Sequence, residues 1–245
     1  IRNLAISAKA PYESKVLLRS DSIQHSETAG RFPSVSGYWI SNPDNKIMHN
    51  TLAGSVGSGF WMAFEREVKD SSGNVVARPI STNTDVFDYN TARSARVGIT
   101  WDGAPGWQNA NNPNNPNDKV LANAHYRPAI APVFKGLKAY KNLLSGIYFR
   151  GQSVIFKNAI IADSGWGAWM AYNQIFEDSV FIGSTQNTSS EIEDYFYNNV
   201  SRSSRYRRNG ITLYDGPFEV HNSDFLNFST EEKTRVINGK TEITS

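Results

Sequence analysis

Residues 133–184 read VFKGLKAYKNLLSGIYFRGQSVIFKNAIIADSGWGAWMAYNQIFEDSVFIGS. Phe134, Phe156 and Phe176 stand 22 and 20 residues apart, and Phe218 follows 42 later, which is two periods of about 21. Gly146 and Gly167 keep the same step, 21 residues. Related Gly-apolar pairs occur at Gly59-Phe60, Gly98-Ile99 and Gly210-Ile211, and an earlier unit opens at Val86-Phe87. A unit this short cannot bury its own apolar face, so it must stack on copies of itself. The spacing predicts an all-β solenoid with about 21 residues per coil. Coils about 4.8 Å apart would pile like residues into interior columns. Phe134, Phe156, Phe176 and Phe218 are expected in one column, with Ile155, Ile161, Val180 and Ile182 filling others. Asn142, Asn158 and Asn222 are expected at turns, bonding neighbouring coils through their amides. An ordinary β-sandwich with chance spacing is the alternative.

Composition agrees with the repeat. The chain has 245 residues and no cysteine, which excludes a disulfide scaffold and a cysteine nucleophile. Its 24 Asn and 18 Gly favour turns, and 13 Phe, 11 Tyr and 6 Trp favour strands. The net charge of +2 and the absence of a recognition module argue against nucleic acid as a partner. No run of about 18 apolar residues offers a membrane span. One solenoid domain over 1–245 is expected, roughly eight coils long, as part of a larger protein. Its insertions fall at about 65–85, 103–128 and 187–209, and the segment 231–245 reads as a cap or the start of a further coil. Insertions of this kind form the walls of binding sites.

Several motifs go beyond the period. Gly37-Tyr38-Trp39-Ile40-Ser41-Asn42-Pro43-Asp44-Asn45 is followed by Ala53-Gly54-Ser55-Val56-Gly57-Ser58-Gly59-Phe60-Trp61. Then come Arg93-Ser94-Ala95-Arg96-Val97-Gly98-Ile99, Pro128-Ala129-Ile130, Ala139-Tyr140-Lys141-Asn142, Arg150-Gly151 and Ala162-Asp163-Ser164-Gly165-Trp166-Gly167. In this order the runs resemble those of the cell-migration-inducing and transmembrane hyaluronidase family and its bacterial relatives, from about Ser20 to about Asn187. The resemblance implies a right-handed parallel β-helix from an extracellular or cell-surface family that processes polysaccharide. It also implies a glycine-rich β domain ahead of this region, holding most residues assigned to hyaluronan cleavage. Where the family carries His-Ser-Asn, this chain reads Arg93-Ser94-Ala95.

The residues themselves suggest chemistry for an acidic polysaccharide partner. Glycoside hydrolysis needs two carboxylates about 5–9.5 Å apart, a gap that neighbouring coils can supply. Asp102 and Asp163 are the candidates, with Asp85 a third. A lyase would need a cation against the sugar carboxylate and a proton carrier. Arg150, Arg93, Arg96 and Lys141 could be that cation, and His49, His125 or Tyr126 the carrier. Asp102, Asp163, Arg150 and His49 form the candidate catalytic set. Arg93, Arg96, Trp101, Trp107, Lys141, Trp166 and Trp169 are the candidate substrate-binding residues, the indoles as platforms for sugar rings. Core packing competes for each indole, most strongly for Trp61. Trp166 and Trp169 flank Gly167-Ala168, so one is expected inward and one outward. Turn capping competes for each aspartate. Arg202, Arg205, Arg207 and Arg208 add a basic cluster. The four His residues show no zinc spacing and no calcium loop is visible, so no cofactor is expected and no metal is indicated, calcium on scattered Asp and Asn oxygens being the one alternative. The expected function is binding, and in the enzymatic case depolymerisation by a hydrolase or lyase, of a hyaluronan-like polysaccharide. The alternative is a non-catalytic structural or adhesive module.

Overall fold

The computed structural model describes residues 2–9, 35–101, 105–106, 120–121, 126–188, 209–228, 233–237 and 240–244. The chain winds through stacked coils. The first coil holds β1 (Leu4–Ala8) and β2 (Ser36–Ile40), and the second holds β3 (Lys46–Met48) and β4 (Thr51–Met62). A small antiparallel hairpin of β5 (Val68–Lys69) and β6 (Val75–Ala77) leads to the third coil, β7 (Val86–Asp88) and β8 (Thr91–Trp101). A two-residue pair, β9 (Pro105–Gly106) and β10 (Val120–Leu121), precedes the fourth coil. That coil has β11 (Val133–Lys135), β12 (Lys138–Tyr140) and β13 (Ser145–Phe149). The fifth has β14 (Ile155–Lys157), β15 (Ile160–Ala162) and β16 (Trp166–Ala171). The sixth has β17 (Gln174–Glu177), β18 (Val180–Ile182) and β19 (Asn209–Asp215), and the seventh β20 (Phe218–His221) and β21 (Asp224–Leu226). Every strand pairing between coils is parallel, so the molecule is a parallel β-helix. β22 (Lys233–Ile237) and β23 (Lys240–Thr244) pair with each other as an antiparallel hairpin, not as another parallel coil.

Three sheets run along the stack. The first is in two parts, β3 with β7 and then β11 with β14, β17 and β20; the second contains β1, the first halves of β4 and β8, then β12, β15, β18 and β21. The third contains β2, the second halves of β4 and β8, then β13, β16 and β19. Strands β4 and β8 turn the corner between second and third sheets without a break, at the cost of a register shift between Ser55 and Ser58.

The aromatic column exists, with one change. Phe134, Phe156 and Phe176 align in successive coils and are fully buried, and Phe87 stacks above them 5.5 Å from Phe134. Each such side chain contributes about 1.5–3 kcal/mol through burial. Phe218 is not the next member. It aligns with Gln174, while Val220 takes the place beneath Phe176. The ring of Phe218 still lies 6.2 Å from that of Phe176. The sequence interval counts residues, and the chain enters the seventh coil two residues out of phase.

The glycine step has a steric cause. Gly59, Gly98, Gly146, Gly167 and Gly210 occupy one column at the start of the third sheet. A Cβ at Gly98 would run into the carbonyl oxygen of Gly146, and one at Gly146 into that of Gly167. The close approach of successive backbones therefore demands glycine there. Corners carry left-handed residues instead. At the first corner these are His49, Tyr89, Gly136, Asn158, Asp178 and Asn222; at the second they include Gly54, Ser94, Lys141, Asp163 and Asn227.

Polar side chains tie the coils together. Asn3 Nδ2 donates to Asn50 Oδ1 at 2.9 Å, Asn50 Nδ2 to Asn90 Oδ1 at 3.2 Å, and Asn90 Nδ2 to the carbonyl of Ile47 at 2.8 Å. Buried Asn142 accepts from the Ala95 N–H at 3.1 Å and donates to the Ala92 carbonyl at 3.3 Å. Asn222 Nδ2 donates to Asp178 Oδ1 at 2.6 Å. With the Lys157 ammonium at 3.3 Å, that bond holds the Asp178 carboxyl below its ordinary range. Asn158 has its backbone N–H bonded to the Glu177 carbonyl at 3.0 Å.

Candidate functional site

Alternation along each strand decides which side chains face out. Ala92 and Ala139 lie in the core, so Arg93, Lys138 and Tyr140 project from the outer face of the second sheet. Arg93 aligns with Tyr140 in the next coil, and Lys138 with Thr91. Lys141 follows Tyr140 at the second corner, held at φ 54 beside Ser94, also at φ 54. Arg93 and Lys138 are exposed and Lys141 is half-buried. Among the described residues, none of these three cations has an ion-pair partner. The adjoining outward positions are Ala53 above and Ile160 and Ala162 below, all uncharged. With the Asp163 carboxylate, next to Lys141 in the corner column, engaged by Thr185 and Thr188, three cations outside any ion pair around one phenol ring make an anion-attracting face. Arg96 stands at the adjoining corner, its carbonyl accepting from the Leu144 N–H at 2.7 Å.

The structure thus joins two predicted residues, Arg93 and Lys141, and adds Lys138 and Tyr140, which sequence reasoning missed. The signal was present in the strand KAY, where a buried Ala139 between two polar neighbours sets both of them outward.

Other predicted residues fall elsewhere. Trp101 is 1% exposed and packs in the core, 4.7 Å from Phe149 and 5.0 Å from Phe134. An enclosed ring of this kind offers no face to a sugar, which corrects the expectation for Trp101. Trp166 and Trp169 both belong to an outer cluster with Val97, Leu144 and Tyr148, separate from the main core. The expected inward–outward split fails because the alternation shifts phase between Trp166 and Ala168. Ala168 and Met170 take the core side, and the two indoles meet at 4.7 Å, both buried.

Asp163 is buried at the second corner, next to Lys141 in the column. Its carboxylate accepts from the Thr185 N–H at 2.6 Å, the Thr185 hydroxyl at 2.8 Å and the Thr188 hydroxyl at 2.6 Å. It caps the turn of the next coil. Arg150 follows β13 at the third corner, half-buried, with its N–H donating to the Trp101 carbonyl at 2.8 Å. Phe149, the residue before Arg150, aligns with Trp101. Asp102, Trp107, His125 and the Arg202–Arg208 cluster lie outside the described residues. His49 sits at the first corner, exposed, its ring parallel to that of Tyr89 at 5.0 Å. Lys46 and Asp85 form an exposed pair at 3.8 Å. The Tyr126 hydroxyl donates to the Thr82 carbonyl at 2.9 Å and lies 2.8 Å from the Thr84 hydroxyl. Burial raises its pKa above the ordinary tyrosine value, so the hydroxyl stays protonated at neutral pH and does not serve as a base. Among the described residues, no group of three or more His, Asp or Glu could hold a metal ion, and no helix is long and apolar enough to cross a membrane.

Comparison with known proteins places these features in a lineage. A family model described as the CEMIP beta-helix matches residues 1–99. Over 228 residues the chain is 26% identical to cell surface hyaluronidase CEMIP2 of Homo sapiens, covering 80% of this chain and 16% of that protein. It is 25% identical over 231 residues to the cell migration-inducing and hyaluronan-binding protein of Mus musculus, covering 81% and 17%. The cell surface hyaluronidase of Danio rerio is 23% identical over 224 residues, covering 82% and 16%. The chain spans about a sixth of the length of these relatives. The motifs, the stacked parallel coils and these matches agree: the chain resembles the cell-migration-inducing and transmembrane hyaluronidase family through four-fifths of its length, with that family's β-helix matched over residues 1–99.

Proposed function

We propose that this chain is a carbohydrate-binding β-helix of a larger extracellular or cell-surface protein. Its ligand is an acidic polysaccharide of the hyaluronan type, lying across the outer face of the second sheet. The observation that carries the proposal is the trio Arg93, Lys138 and Lys141, unpaired among the described residues, around Tyr140. A repeating carboxylate would meet Arg93 through two parallel N–H bonds and the lysines as point charges. Tyr140 would supply an apolar face and a hydroxyl for the ring between carboxylates. The names of the relatives support the ligand class, since they include hyaluronan-binding proteins and cell surface hyaluronidases.

Binding without cleavage is favoured by Asp163. Its carboxylate is committed to Thr185 and Thr188, which leaves it unavailable as one of a working carboxylate pair. Arg150 stands at the third corner, away from the basic face. The test has two arms. Affinity for hyaluronan, chondroitin, alginate and pectate is measured with the purified chain, and the same mixtures are followed for product size and for absorbance of unsaturated ends. Binding of an acidic polymer that weakens about tenfold in Arg93→Ala, with no product, supports the proposal. Absence of binding sinks it. Unsaturated ends would show a lyase, and shortened chains without them a hydrolase; either product overturns the non-cleaving reading.

A further inference from the structure

The first corner repeats through six described coils, and four of its residues are Gly136, Asn158, Asp178 and Asn222. These residue types accept a left-handed backbone at little cost. The second and third coils depart from that choice. His49 holds φ 57 and Tyr89 φ 55, and for the bulky Tyr89 this backbone is disfavoured. Neither ring is in the core. Tyr89 is 48% exposed, His49 is exposed, and the rings lie parallel at 5.0 Å. Below them, a Cβ on Gly136 would strike the Tyr89 ring, so the glycine leaves the space into which that ring leans. A strained tyrosine and a parallel histidine ring, both exposed in one row, ask for a role outside the fold.

The flanks of this row are cationic. Lys135 ends β11 on one side of Gly136 and Lys138 begins β12 on the other; both are exposed, and among the described residues neither has an ion-pair partner. The nearest acid on the first sheet is Asp88, whose Oδ1 accepts from the Lys135 backbone N–H at 2.9 Å. Lys138 also borders Arg93 and Tyr140 on the second sheet. The corner and the basic face are therefore one continuous surface.

We propose that the first corner is a further subsite of that surface and takes one acidic sugar ring. Tyr89 and His49 present the apolar ledge, and Lys135 and Lys138 meet the sugar's carboxylate. This rests on the polysaccharide-binding reading and extends it by one ring around the corner. The corner adds affinity only to ligands long enough to reach it from the second-sheet face.

The experiment uses the whole chain and an end-labelled hyaluronan decasaccharide, with binding read by fluorescence anisotropy and folding by thermal midpoint. Tyr89→Asn keeps a residue suited to the left-handed backbone and removes the ring. Its affinity is expected to fall roughly fivefold to tenfold, with an equal or higher midpoint. Lys135→Gln removes a charge belonging to the corner alone and is expected to weaken binding about threefold, the loss shrinking as salt rises. Arg93→Ala reports on the second-sheet face. If Arg93→Ala weakens binding while both Tyr89→Asn and Lys135→Gln bind as the parent does, the corner subsite is overturned and the wider reading stands. If the parent chain does not bind the decasaccharide, both are overturned. Should Tyr89→Asn lower the midpoint, Lys135→Gln decides alone, and parent-like affinity in that variant overturns the subsite.

Discussion

Asp163 shows how a residue can look like chemistry in the sequence and act as architecture in the fold. Three donors from Thr185 and Thr188 converge on its two oxygens. Asp163 is buried and its donors are half-buried, so losing the carboxylate is costly: the donors would be left poorly satisfied. At φ 49 the backbone also suits Asp or Asn better than alanine. Asp163→Ala is expected to lose about 2–4 kcal/mol in urea unfolding, summing an orphaned N–H and the left-handed penalty. Asp163→Asn, which keeps one acceptor and tolerates the backbone, should lose about half as much. If the alanine variant unfolds with the parent, the carboxylate has another task. Its turn context, Ala162-Asp163-Ser164-Gly165, was legible as a cap. What the residues could not show was the partner, because Thr185 comes from the next coil.

Columns decide stability at the scale of the coil. The 21-residue step was readable for Phe134, Phe156 and Phe176 and for the glycines, since a steric demand recurring at a fixed axial distance imposes a fixed residue type. It broke at Phe218 because corners add or drop residues without changing the rise per coil. The same bends hid the orientation of the tryptophans. Val97 lies in the outer cluster, whereas Ile99 and Trp101 lie in the core, so the alternation shifts phase at Gly98. For Trp101 the competing role, core packing, is the one the fold selects. The basic face was half legible, through Arg93 and Lys141, whose charges need solvent; Lys138 and Tyr140 required the phase of β12. Gly98→Ala tests the column directly. The added methyl meets the Gly146 carbonyl, which is fixed by its own ladder, so the coils must separate locally. An expected loss of about 2–3 kcal/mol follows from overpacking a backbone contact. Gly73→Ala, with open space around it but φ +86, should cost only about 1 kcal/mol. Equal effects of the two substitutions would deny the column its steric role.

A stack of coils has stability that varies along its axis, because each coil leans only on its neighbours. The fourth and fifth coils have neighbours on both sides, and their inward residues Phe134, Phe149, Phe156 and Met170 are almost fully buried. The seventh coil differs. Phe225 lies beneath buried Phe181, and Val220 beneath buried Phe176, yet they are 48% and 37% exposed. Leu213 of β19, aligned with buried Met170, is 65% exposed. These residues sit in core columns and obtain only half the burial that the columns give elsewhere. The hydrophobic term per side chain falls in proportion, while the backbone entropy to be overcome does not. Opening of β20 and β21 therefore costs less than opening of β13, β14 or β16. Native-state hydrogen exchange should show the amides of β20 and β21 exchanging first, through local opening. Those of β13, β14 and β16 should be slowest and should approach the global unfolding free energy. The gradient should flatten if the end of the stack gains a cover, and the seventh coil is where protection should rise most. Uniform protection from β12 to β21 in the chain alone would contradict the nearest-neighbour account. It would mean that the half-exposed Phe225 and Leu213 are compensated by interactions stronger than burial along the columns provides.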